Sequence, residues 1–325
     1  MRPCRGVVGS SWSRIVVCRI WCQARSRLGY EPSHDLFARV AGPVARVDTP
    51  GSWLAGRRLV VIDGTCVDVP DTPTNAEFFG RPPSSRGERS AFPQARLVAV
   101  AECGTHAVFD AVVGQCATSE IELARELAGR LEPGMPVLAD RSLYGFKLWN
   151  QAAETGADLL WRVKTTLRPR HVQTLPDGSW LARIIATSGK KRASTPPLNV
   201  RVVDYTIDDG RHNPEQYRLL TTILDPGHAS AEELASAYAQ RWEIENVFDE
   251  LKTHHRGPRA VLRSKSPDLV QQELWGHLCC HFAIRTLMLD AATQSGHDPD
   301  RISFVAALRI TRRALSHSHF PPSQP

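Results

Sequence analysis

Apolar residues along this chain fall into short runs closed by acids, and into longer stretches where they recur at helical spacing. Leu59-Val60-Val61-Ile62 is a continuous apolar run, the pattern of a strand buried on both faces, and it ends directly on Asp63-Gly64-Thr65. Pro136-Val137-Leu138-Ala139 is a second such run and stops on Asp140. Residues 95–102 and 106–113 around Gly104 predict a hairpin, and 158–163 a further strand. Helical spacing over 119–131 and 143–155 alternates with these strands, so the fold class is α/β with a mixed sheet. Residues 72–93, rich in Pro, Ser, Arg and Gly, predict an exposed loop. Residues 1–55 predict a small Arg-rich leading module of short helices punctuated by Gly and Pro.

Charge changes the picture through its distribution. The 40 Lys and Arg against 34 Asp and Glu give a net charge of only +6. Yet residues 162–201 hold nine basic side chains and a single acid, Asp177, so this one segment is more basic than the whole chain. Its Thr, Val and Ile content, with runs at 181–186, 198–207 and 216–224, predicts an inserted basic β-subdomain. Arg162, Lys164, Lys190, Lys191 and Arg192 are its candidate contacts to a nucleic-acid backbone. No run approaches the ~18 apolar residues of a membrane span, and Arg14 and Arg19 interrupt the first apolar stretch, so a cytoplasmic protein without a membrane partner is expected. Eight Cys without paired C-x-x-C motifs predict free thiols. The absence of GxxxxGK[ST], GxGxxG and GxSxG motifs speaks against a nucleotide cofactor and against a serine hydrolase.

From Ser230 the pattern turns helical, with Ser230 and Glu233 as a capping box, and a single helix to about His254 is expected. At ~100° per residue, Tyr238, Arg241, Glu245 and Lys252 fall at about 0°, 300°, 340° and 320°, one narrow polar stripe. Ile244, Val247, Phe248 and Leu251 form an adjoining apolar face that can pack on the sheet and hold Glu245 over the strand ends. An ordinary solvated face would also carry such charges. Trp180 reads either as a stacking platform or as packing in the small β-module, and Trp242 as core. His277 and His281 lie one turn apart but lack a third ligand, so core packing is expected of them.

The spacing Tyr238-x2-Arg241-x3-Glu245-x6-Lys252 resembles the Tyr-Arg-Glu-Lys motif of insertion-element-four type DDE transposases. Ile62-Asp63-Gly64-Thr65 and Leu138-Ala139-Asp140-Arg141 are similar to that family's two catalytic-Asp motifs, in the same order, and the likeness runs from about residue 22 to about 315. The resemblance implies a ribonuclease H-like α/β core with a β-rich insertion ahead of the Glu-bearing helix. It implies that Asp63, Asp140 and Glu245 are the catalytic acids and metal ligands, and that Tyr238, Arg241 and Lys252 contact DNA phosphates near the cut. Cleavage and strand transfer at double-stranded inverted-repeat ends, a hairpin intermediate and a homodimer are implied likewise. The chemistry suits the residue types, because two Mg²⁺ (or Mn²⁺) ions ~4 Å apart need a few carboxylate oxygens from different elements, and Arg grips a phosphate bidentately. The expected organisation is a leading module over 1–55, core over 56–164, insert over 165–224, core again over 225–315 and a tail over 316–325, with both ends shorter than the family's usual pattern. A DNA-binding remnant and a ribonuclease H-like repair nuclease are the alternatives.

Overall fold

The computed structural model describes residues 23–83, 92–186, 196–208, 214–254 and 261–317. After a helical turn over residues 23–28, helix α1 (Glu31–Val40) is followed by a two-strand hairpin, β1 (Trp53–Leu54) and β2 (Arg57–Arg58), turned by Ala55 and Gly56 at positive φ. The main sheet then begins as a meander of β3 (Val60–Asp68), β4 (Gln94–Glu102) and β5 (Val108–Gln115). β6 (Pro136–Ala139) and β7 (Asp158–Val163) join it in parallel, giving the order β5-β4-β3-β6-β7. Three antiparallel strands followed by two parallel ones is the ribonuclease H-like arrangement.

Both faces of this sheet are covered, which is why its strands read as unbroken apolar runs. On one face Val60, Ile62, Val137 and Leu159 pack on α3 (Glu120–Ala128) and α4 (Phe146–Ala153) through Leu123, Leu127 and Trp149. On the other, Val61, Leu138 and Leu160 meet α5 (Ala231–Ala239), α6 (Glu243–Asp249) and α7 (Pro267–Ser295) through Leu234, Ile244, Val247 and Leu278. Ser119 caps α3 by accepting the Glu122 N–H at 3.2 Å, and the Ser230–Glu233 capping box at the start of α5 forms as expected. The chain closes with α8 (Phe304–His317). No helix among the described residues is long and apolar enough to cross a membrane.

The structure corrects two expectations. Residues 73–79 are not loop but a helix, α2 (Pro73–Phe79), because Thr72 caps it and Pro73 at its first position pre-sets the backbone. The basic insert is built of strands. Its strands β11 (Glu215–Thr221), β10 (Leu198–Ile207), β9 (Trp180–Ile184) and β8 (Arg170–Thr174) continue the main sheet, with β11 antiparallel to β7. Arg201 on β10 is fully buried there, pairing with Asp177 and donating to Ser179 Oγ and Ala229 O, each at 2.7 Å. The sheet ends at β8, whose residues are all exposed and whose register shifts between His171 and Gln173. The second correction is to the expected single helix over 230–254, which is interrupted by a 3₁₀ turn at Gln240–Trp242 and a π turn at Glu250–His254, which flank α6.

The β4–β5 turn carries a stringent requirement. Gly104 has φ +77°, and a Cβ there would lie 2.2 Å from the Pro50 carbonyl oxygen. Gly104→Ala is therefore expected to destabilise the protein by about 3 kcal/mol, left-handed strain and backbone displacement together, measurable by chemical denaturation.

Candidate active site

β3 outruns its neighbour β6, which stops at Ala139 while β3 continues to Asp68. Asp63 thus lies within β3 rather than at its end, correcting the sequence reading, and what ends beside it is β6. The parallel register pairs Val60 with Val137 and Val61 with Leu138. Carried forward, the same offset brings Asp63 level with Asp140, the first residue past β6. Two acids distant in sequence are therefore brought level by backbone pairing.

Asp63 Oδ1 accepts the Gly64 N–H at 2.8 Å, and its Oδ2 lies 3.6 Å from Arg241 Nη1. Arg241 Nη2 in turn donates to Glu245 Oε1 at 3.2 Å, so one guanidinium links the strand acid to the helix acid. Burial pushes the Asp63 carboxyl up to about 6, Gly64 and Arg241 oppose the rise, and Glu120 and Asp140 add to it. Glu120, in the first turn of α3, was not singled out by sequence. It pairs with Arg96 at 2.9 Å, and a Cβ at Gly64 would sit 2.7 Å from its Cγ. No motif spacing connects Glu120 to Asp63; only the packing of α3 on β3 does.

Tyr238 and Arg241 are both buried. The Tyr238 hydroxyl donates to the Ala139 carbonyl at 3.3 Å and braces α5 against the end of β6. Behind it, Tyr217 meets Tyr238 edge-on at 6.4 Å and stacks on its cross-strand partner Tyr205 at 5.2 Å. Arg162 is likewise buried, its guanidinium 3.7 Å from the Tyr217 ring centre and paired with Glu215, so it supports the aromatic row rather than facing solvent. Lys164, one residue past β7, is exposed. Lys252 lies in the π turn and lines a narrow cleft with Thr65, Leu97 and Leu274. Lys190, Lys191 and Arg192 lie outside the described residues.

Trp242 is exposed, not core, and Arg241 lies 4.5 Å from its ring centre. Trp180 stacks on His171 at 5.4 Å and points its Nε1 at Asp204 Oδ2, 3.3 Å away. It lines a cleft of about 640 Å³ with Arg168, Tyr205 and Arg218. His281 is buried on Glu250, as packing predicts, and His277 faces Glu273.

The donor chemistry of Asp63, Asp140 and Glu245 fits a hard divalent cation. All three offer carboxylate oxygens, and Asp140 lies close enough to Asp63 to add to the rise that burial imposes on its carboxyl.

A family model described as the transposase DDE domain matches residues 54–283. Transposase InsG for insertion sequence element IS4 of Escherichia coli (strain K12) is 30% identical over 296 residues, covering 90% of this chain and 66% of that protein. Putative transposase InsZ of the same organism is 30% identical over 140 residues, covering 43% of this chain and 46% of its own length. The chain thus spans less than two thirds of either curated relative. A piggyBac transposase synaptic complex with hairpin DNA, solved by cryo-electron microscopy, superposes with a TM-score of 0.45 at 10% identity over 81% of this chain and 55% of that one.

Proposed function

The chain belongs to the transposase DDE-domain family, and from that premise we propose that it cuts double-stranded DNA at the inverted-repeat ends of its element and joins the freed 3′ end to a target. The observation that carries this reading is the register of β3 and β6, which sets Asp63 level with Asp140 while Arg241 ties Asp63 to Glu245. Asp63, Asp140 and Glu245 would hold two Mg²⁺ or Mn²⁺ ions. Bound there, the metal supplies an activated water or 3′-hydroxyl and neutralises charge on the phosphate and leaving oxygen.

The chain's own residues do the positioning. Arg241 keeps the exposed Glu245 carboxylate turned toward Asp63 and offsets part of the charge of the pair. Tyr238 fixes α5 on the carbonyl next to Asp140, so strand end and helix move as one body. Lys252, Lys164 and the basic insert supply cations along the DNA backbone, with Lys190, Lys191 and Arg192 part of that track. Action as a homodimer across two paired ends, in the cytoplasm, completes the proposal.

The test is Mg²⁺-dependent cleavage of a DNA fragment carrying the gene's own flanks. Glu245→Gln is expected to abolish cutting while DNA affinity stays within about threefold, since one surface charge contributes little to a multi-phosphate contact. Binding by the wild-type chain without any cleavage would instead make it a DNA-binding remnant, and cutting of branched DNA in preference to element ends would make it a repair nuclease.

A further inference from the structure

α6 spans only Glu243–Asp249 and is bounded by a 3₁₀ turn and a π turn, so its own hydrogen-bond ladder fixes its position weakly. Something outside the helix must hold Glu245 in place. Glu243 and Glu250, seven residues apart, are both buried, while Glu245 lies about 200° around the helix from Glu243 and is exposed. The helix is gripped from behind through these two acids.

Glu243 Oε2 accepts the Gly104 N–H at 2.5 Å. His106 Nε2 lies 3.5 Å from the same oxygen and 3.3 Å from Asp300 Oδ1, within ion-pair distance of both acids but aligned for a hydrogen bond to neither. At the other end, Glu250 Oε2 is 2.9 Å from His281 Nε2 and 3.0 Å from Arg285 Nε, and its Oε1 pairs with Arg285 Nη2. That same Nη2 is 2.6 Å from His106 Nδ1, so Arg285 joins the two grips into one buried frame.

The frame has a defined proton arrangement. A guanidinium only donates, so His106 Nδ1 must accept from Arg285. Burial, with Arg285 and His281 beside it, holds His106 well below the usual histidine range, so the ring is neutral and its one proton sits on Nε2, facing Glu243 and Asp300. The ligand atoms of His106, Glu243 and Asp300 all lie within 4.8 Å of one another, as a metal site would require. The proton on Nε2 and the guanidinium on Nδ1 are the reverse of what a metal-bound imidazole needs, a free Nε2 lone pair and an acceptor for Nδ1–H.

We propose that His106 and Arg285 are positioning residues for Glu245, which set the placement of α6 through its buried acids. This rests on the reading of Glu245 as an acid of the metal centre. His106→Ala is expected to slow Mg²⁺-dependent cleavage about 10–100-fold, the usual effect of losing an outer support of a metal ligand, and to raise the Mg²⁺ concentration for half-maximal cutting. His106→Gln, which keeps a polar side chain between Arg285, Glu243 and Asp300, should recover most of the rate, and DNA affinity should not change in either variant. Amide hydrogen exchange on the full chain supplies a readout independent of activity. Residues 243–250 should lose protection in His106→Ala while those of β3 and β6 keep theirs. Unchanged exchange over 243–250, or equal loss of protection throughout the sheet, overturns the proposal. So does stoichiometric Zn²⁺ held by the wild type and lost in His106→Ala. If the wild type cuts no DNA, the proposed function fails while the exchange measurement still decides the role of the frame.

Discussion

Asp63→Asn is expected to lower Mg²⁺-dependent cleavage and strand transfer at least about a thousandfold, ~4 kcal/mol of barrier at ~1.36 kcal/mol per decade, with DNA binding intact. Asparagine keeps an oxygen that can accept the Gly64 N–H, so the local backbone has no reason to move. What it loses is the charge facing Arg241 and a hard donor level with Asp140. Fold stability should not fall, because burial and the neighbouring Asp140 and Glu120 already disfavour the ionised carboxylate at this position. The variant should therefore melt no lower than the wild type while being inactive, a combination that separates a chemical role from a structural one. Strand transfer retained by Asp63→Asn would sink the assignment of the acids.

The largest loss of stability is expected from Arg201→Met, about 3–5 kcal/mol, the range for removing one partner of a buried ion pair. Arg201 has no exposed surface, and its truncation removes the guanidinium that donates to the Ala229 carbonyl and the Ser179 hydroxyl and the charge that faces Asp177. Burial raises the Asp177 carboxyl, but the Ser179 hydroxyl, the Ala231 and Ser179 N–H groups and Arg201 outweigh it and hold the carboxyl below its ordinary range. The sign follows: the stability Asp177 contributes is present above its unfolded value and is lost as pH falls through the lower folded one. Urea denaturation of wild type and Arg201→Met at pH 7 measures the first effect. The gap between Asp177→Asn and wild type should narrow as the pH falls, which tests the second.

What the sequence disclosed was short-range chemistry. The strands ahead of Asp63 and Asp140, the Ser230–Glu233 cap and the insert strands over 180–184, 198–207 and 215–221 are each written in neighbouring residues. The same locality explains the misplaced loop. Over 72–93 the Pro and Gly content masked the Thr72-Pro73 helix start, although both signals were present. Tyr238 and Arg241 share the polar stripe yet are buried, because periodicity gives a side chain's direction and not what the sheet lays over it. The interruptions on either side of α6 have no marker in the residues themselves. Nor does the pairing of Arg285 with His106, 179 positions apart in the chain, or of Arg162 with Tyr217. Those contacts exist only once β7 and β11 have paired and α7 has docked. Likewise the charge run over 162–201 announced a basic surface but could not say that its strands extend the core sheet.

That extension bears on how copies of the chain can associate. An exposed terminal strand is a template for a strand from another molecule, and a nine-stranded sheet with a flat edge would invite stacking end to end. β8 closes the sheet poorly for that purpose: Pro169 precedes it, Arg170 opens it, and the shift between His171 and Gln173 twists its free hydrogen-bonding groups out of line. Growth by strand addition is disfavoured at this end, so copies of the chain that meet there remain separable units rather than the start of a fibre.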